Sequence, residues 1–182
     1  MTTSSTDVTL TPLVSSRDHT QGSPDAPYTL LEFGDYECPY CGTAEQPLHQ
    51  VQQELGDQLQ FAFRNFPLTQ IHPYALEAAE AAEAAGGQGQ FWKMHDLLYQ
   101  NQRHLRHEDL LRYAAELQLD LDRFQRDLTD HTYLGRIQED VESGERSGVP
   151  GTPCFFINGV RYEGPAQAAA MMAAIGHSQG EV

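Results

Sequence analysis

Apolar and polar positions along this chain fall into two periods. Residues 28–33, YTLLEF, form an apolar run with β-prone residues between Pro27 and Gly34, the pattern of a buried strand. Residues 59–67, LQFAFRNFP, alternate as a strand does. Between them the spacing turns helical. From Pro39 onward Leu48, Val51 and Leu55 recur at i, i+3 and i+7, and Gly56 stops the run.

A helical block follows. HPYALEAAEAAEAAGG has Pro73 near its first turn, an Ala-rich body and Gly86-Gly87 as a stop. Phe91, Met94, His95 and Leu98 mark a second helix, and Leu110, Tyr113, Ala114 and Leu117 a third. Asp120 or Asp122 is placed to cap a fourth, carrying Phe124 and Leu128. A fifth runs from about Tyr133 to Arg146, weakened by Gly144 and ended by Gly148. Then CFFI and VRY read as two short strands joined by Asn158-Gly159, a strong hairpin signal. After Pro165, AQAAAMMAAI makes a last helix.

Strand, helix, strand, then hairpin and helix, interrupted by helices alone, predicts an α/β sheet domain of residues 23–66 and 148–178. The inserted all-helical domain is 67–147. Residues 1–22, rich in Ser and Thr, are expected to be a loose tail.

The chain of 182 residues is long enough to bury a core without disulfide staples. Its 11 basic and 26 acidic residues give a net charge of −15, which repels phosphate backbones and anionic bilayers and argues against nucleic-acid or membrane partners. The opening MTTSSTDVTLTPLVSS has no basic start, apolar run or cleavage site. The expected location is therefore cytoplasmic, or extracytoplasmic if a leader has been removed.

Against that background the three cysteines stand out. Cys38 and Cys41 flank Pro39-Tyr40 in ECPYC, where the first strand hands over to its helix. Unpaired N–H groups at a helix start favour a thiolate there, and Pro39 suits a first turn that needs no N–H. Cys38 is thus the candidate nucleophile. Cys41, one turn in and more shielded, is the resolving thiol. Asp35 and Glu37 oppose a very acidic thiol. A half zinc site completed by Cys154 or histidines such as His104 and His107, and a purely structural disulfide, are competing readings of the same pair.

A CxxC beside a strand-helix-strand pattern suggests a thioredoxin-like redox site. Here LLEFGDYECPYC and GVPGTPCFFINGV, separated by a helical block, resemble the DsbA-like thiol:disulfide oxidoreductases over roughly residues 12–176. The resemblance implies a thioredoxin-like fold with an all-helical insertion, with Pro153 as a cis-proline preceded by Thr152. It also implies that Glu32, six residues before Cys38, is a buried acid moving protons for the second cysteine, rather than an acid facing solvent from an edge strand. Pro39, Tyr40, Thr152 and Pro153 become candidate substrate contacts. The implied activity exchanges a dithiol and disulfide with protein substrates, with a redox partner or glutathione and with no metal or organic cofactor. Two departures bear on this. Pro39-Tyr40 is a dipeptide common in glutaredoxins, and Cys154 follows the proline, either as a buried core residue or as a third thiol near the site. Phe91, Trp92, Met94 and Tyr99 are expected in the insertion's core, some lining a groove that faces the CxxC. The alternatives are a glutathione-coupled reductase and a non-catalytic holdase with an incidental disulfide.

Overall fold

In the computed structural model, which describes residues 8–177, the two apolar runs lie side by side as parallel strands. The strands are β1 (His19–Gln21), β2 (Tyr28–Gly34), β3 (Leu59–Asn65), β4 (Cys154–Ile157) and β5 (Val160–Tyr162). The helices are α1 (Pro39–Leu55), α2 (Ala75–Gly86), α3 (Phe91–Gln100), α4 (His107–Glu116), α5 (Leu121–Thr129), α6 (Leu134–Arg146) and α7 (Ala168–His177). The sheet runs β1-β3-β2-β4-β5. Only β2 and β3 are parallel, joined by the crossover helix that such a pair requires. The hairpin between β4 and β5 turns on Asn158 (φ 48°) and Gly159 (φ 81°), the left-handed pair that a type I′ turn demands.

β2 is paired on both edges by β3 and β4 and packed on both faces, which is why its sequence is mostly apolar rather than alternating. Tyr28 and Leu30 face α1 and α7 with Phe61, Leu48, Val51 and Met171. Leu31 and Phe33 face the other way, with Ala62, Phe156 and Leu10. By that alternation Glu32 falls on the α1 side, paired with Phe63 of β3 and Phe155 of β4.

Helices α2–α6 pack around their own apolar cluster, which also takes in Tyr36, Phe63, Cys38 and Cys41. The CxxC therefore sits where sheet domain and helical insertion meet. Gly144 lets α6 lie against the chain leaving β3, since a Cβ there would stand 2.5 Å from the Phe66 ring. Among the described residues no helix is long and apolar enough to cross a membrane.

The expectation of a loose tail over 1–22 is corrected from residue 8 onward; residues 1–7 lie outside the described ones. Thr9 bridges Val160, Leu10 N–H donates to Gly159 O, and Leu10 is buried. β1 adds an antiparallel edge to β3. The fully buried Arg64 of β3 fixes this segment: it donates to both Asp18 carboxylate oxygens at 2.8 and 3.1 Å, to Pro12 and Leu13 carbonyls, and to Ser143 Oγ on α6. Ser and Thr composition reads as disorder in isolation. Here a buried guanidinium, which must find acceptors, collects them from that segment.

A candidate dithiol site at the head of α1

β2 delivers the chain to Cys38, which caps α1 in extended backbone (φ −71°, ψ 118°), with Pro39 opening the helix. All three cysteines are free thiols. Cys38 Sγ donates to the Thr152 carbonyl at 3.4 Å, so residues 114 apart in sequence meet. The Thr152–Pro153 peptide is cis. A thiolate has no proton to give that carbonyl and must accept instead. Cys41 is the main donor to it, through its side chain and backbone, with the Thr152 hydroxyl and the Tyr40 backbone assisting; together they outweigh burial and lower Cys38 to about 5. The Thr152 Oγ1, buried and without another partner, is available for that bond. Cys41 is fully buried, and burial, then its bond to Cys38 and the nearby Glu32, push its thiol far above the ordinary range. The two sulfurs of one motif are thus driven apart, one toward thiolate and one toward thiol.

Glu32 is fully buried, not on an edge strand, and both its carboxyl oxygens lack a hydrogen-bond partner. Burial raises its pKa well above the usual carboxylate value, with Glu45 and Cys38 adding to the rise. Burial without a partner favours its neutral form, which places a proton source on the α1 side of β2. Glu45, one helical turn beyond Cys41, is itself pushed up to about 8 by burial and by Asp96. That turn-spacing from Cys41 is the one signal in the sequence that pointed to Glu45.

The acids preceding Cys38 are turned aside. The buried Asp35 accepts from the backbone of Glu37 and Leu68 and pairs with His72 at 2.7 Å; Glu37 accepts from Tyr74 N–H. They build the loop from β3 to α2. Gln102, after α3, donates to the Tyr36 and Cys38 carbonyls at 2.9 and 2.7 Å, holding the turn into α1. No local pattern in the sequence announces Gln102. Its partner signal is Gly42, where a Cβ would lie 2.2 Å from Gln102 Oε1.

Tyr40 is 74 % exposed beside an open groove of about 520 Å³, lined by Thr43, Thr152, Pro153, Cys154 and Tyr162 among others. None of Phe91, Trp92, Met94 and Tyr99 lines this groove; Tyr99 instead borders a second cavity beside Gly42. Phe91, Met94 and Tyr99 are buried, and Trp92 donates to Thr20 O. Cys154 begins β4 opposite Phe33 within the sheet core, and burial raises its thiol to about 11. It borders the groove as a protonated core residue. His104 and His107 lie apart from any cysteine cluster; His107 pairs with Glu77.

Comparison with known proteins follows the same outline. A protein-family profile described as "Thioredoxin" matches residues 15–177. The chain is 49 % identical over 166 residues to the Na(+)/H(+) antiporter NhaA 3 of Salinispora tropica, a match covering 91 % of this chain and 25 % of that protein. It thus spans about a quarter of the length of the curated relatives it matches. In fold it is similar to oxidised BdbD of Bacillus subtilis (TM-score 0.83, 22 % identity, 96 % of this chain and 98 % of that one). It is also similar to alpha-DsbA1 of Wolbachia pipientis (TM-score 0.78, 21 % identity, 93 % and 94 %). Matches of that extent include the helical insertion as well as the sheet.

Proposed function

Because the chain belongs to the thioredoxin family, in the form of its fold that carries a helical insertion, we propose that it exchanges the Cys38–Cys41 disulfide with protein thiols. The observation that carries this reading is the placement of the two sulfurs: Cys38 at the head of α1 against Thr152, favoured as thiolate, and Cys41 fully buried behind it, favoured as thiol, near an unpartnered Glu32 whose burial favours its neutral form. In the oxidised protein a substrate thiolate attacks Cys38 Sγ. The Cys38–Cys41 bond breaks and Cys41 leaves as a thiolate, which takes the proton of Glu32. A second substrate thiolate then attacks the substrate sulfur of the mixed disulfide. The substrate disulfide closes and Cys38 departs as the stable thiolate. The two electrons from the substrate end on Cys38 and Cys41.

Substrate is held on the groove beside Tyr40, Thr152 and Pro153, where an extended chain can lie against the loop before β4. A stabilised thiolate favours the reduced protein, so the direction we propose is disulfide donation. The same property ties direction to location. In the reducing cytoplasm the glutathione pool would keep the pair as a dithiol and turn it toward reduction or isomerisation. An oxidising compartment, with a partner that re-oxidises the pair, suits donation. The antiport named for the curated relatives is not carried over to this chain.

Equilibration in graded glutathione redox buffers, with acid quench and thiol counting by mass after alkylation, tests the reading. We expect a reduction potential clearly more oxidising than the roughly −270 mV of thioredoxin. A value at or below that level overturns the donor direction. Failure of both thiols to titrate as a pair overturns the activity.

A further inference from the structure

Outside the CxxC, one cluster of ligating side chains lies between α1 and α3. Glu45 on α1 and His95 with Asp96 on α3 bring one donor atom each within 4.8 Å of one another. His49, one turn beyond Glu45, has its Nε2 3.8 Å from Glu45 Oε2, and His95 Nε2 lies 3.7 Å from the same oxygen. Neither separation is a hydrogen bond. Two imidazole nitrogens therefore approach one carboxylate without bonding to it, and Glu45 Oε1 is buried with no partner at all. Glu45, His49 and Asp96 also line a cavity of about 550 Å³ open to solvent.

The buried histidine is the feature that separates this cluster from ordinary acidic crowding. His95 is packed edge-on against Tyr36, Phe63 and Trp92. Its Nδ1 shares a 3.0 Å hydrogen bond with the Tyr36 hydroxyl. An outer partner on one ring nitrogen is what orients a metal-binding imidazole and leaves the other nitrogen free to coordinate. Here the free nitrogen is the one that faces Glu45. Two carboxylates also crowd the same small space, and a bound cation would offset their repulsion.

We propose that Glu45, His95 and Asp96, with His49 as a partly exposed fourth donor, form a binding site for a divalent transition-metal cation such as zinc. Two imidazoles and two carboxylates match both the charge of a divalent ion and its preference for nitrogen and oxygen donors. Bonds of about 2.0–2.1 Å place tetrahedral donors about 3.3 Å apart. Glu45, His95 and Asp96, whose donor atoms lie within 4.8 Å of one another, then need close by roughly 1.5 Å at most, with His49 turning in beside Glu45. The ion would tie the helix that carries the dithiol to the helical insertion. The proposal stands apart from the redox activity, and none of the three cysteines contributes to it.

The probe is cobalt(II), titrated into the oxidised 182-residue chain so that the closed Cys38–Cys41 disulfide offers no thiolate. We expect one saturable site per chain, visible d–d absorption bands, displacement by zinc, and a melting temperature raised by the metal. Affinity should fall roughly tenfold or more in His95→Gln and Glu45→Gln, and the metal-dependent rise in melting temperature should vanish with it. His49→Gln and Asp96→Asn, at more exposed positions, repeat the test if either buried variant fails to fold. Absence of saturable one-to-one binding to the unaltered chain overturns the site. So does binding that persists at full affinity in the folded variants, which would mark it as adventitious attraction to an acidic surface.

Discussion

At the scale of single residues, the chemistry rests on what surrounds two sulfurs. The Cys38 thiolate gains its main support from Cys41 and further support from Thr152 and the first turn of α1. A group lowered to about 5 is fully thiolate at neutral pH and is lost as thiolate when pH falls through that value. The rate of iodoacetamide labelling at Cys38 should therefore be flat near neutrality and drop about tenfold for each pH step below about 5. Thr152→Val keeps the shape but removes the hydroxyl donor. A hydrogen bond to a charged group is worth about 1.5–3 kcal/mol, so the inflection should move up by roughly one to two on the pH axis. An unmoved inflection would show that the helix start and Cys41 suffice. The linkage to stability has the same sign: a depressed thiol stabilises the folded, reduced chain at high pH, and that support is lost on acidification through about 5. The CxxC and the Thr-Pro pair were legible in the sequence because each is a local motif. Glu32 was legible as an acid in an apolar run, but its place on a central strand came only from the sheet order.

At the scale of elements, the period of hydrophobic positions carries most of the information. α1 begins at Pro39 and ends at Leu55, where the Pro and Gly signals put it, and Asp120 caps α5 through Arg123 N–H. β1 gave no such signal. Its residues His19–Gln21 have no alternation to read, and they are a strand only because β3 offers an edge. Gln102 was equally silent, since its role depends on α3 ending near the turn into α1. That joint makes a prediction. Gly42→Ala puts a methyl into Gln102 Oε1, and Gln102→Ala deletes the two bonds to the Tyr36 and Cys38 carbonyls. Each change should cost about 1–3 kcal/mol in urea unfolding of the reduced protein. The double variant should cost little more than Gln102→Ala alone, because both act on the same contact. Additive losses would mean that Gly42 serves some purpose other than making room for Gln102.

At the scale of the whole molecule, sheet, N-terminal segment and α6 are joined through one buried cation. Arg64 and Asp18 have almost no exposed side-chain area, and Arg64 also reaches Ser143 on α6. Nearby, Asp140 of α6 accepts from Asn65 N–H and pairs with Arg17, while Glu83 of α2 accepts from the Asn65 side chain and forms an ion pair with Arg136. Sequence could not show this, because each charge reads as an exposed one until its partners, tens of residues away, are placed beside it. The energetics of such a pair are asymmetric. The desolvation of both ions offsets most of their attraction, so the intact pair adds little net stability, but removing one partner strands the other. Arg64→Met leaves Asp18 as an uncompensated buried carboxylate and should lower unfolding free energy by about 3–5 kcal/mol. Combining it with Asp18→Leu removes the stranded charge and should restore much of that loss, although the carbonyls of Pro12 and Leu13 still lose their donor. If the double variant is instead as unstable as the sum of the single ones, the cluster acts through those carbonyl bonds. The N-terminal segment would then be held by hydrogen bonding to Arg64 rather than by charge.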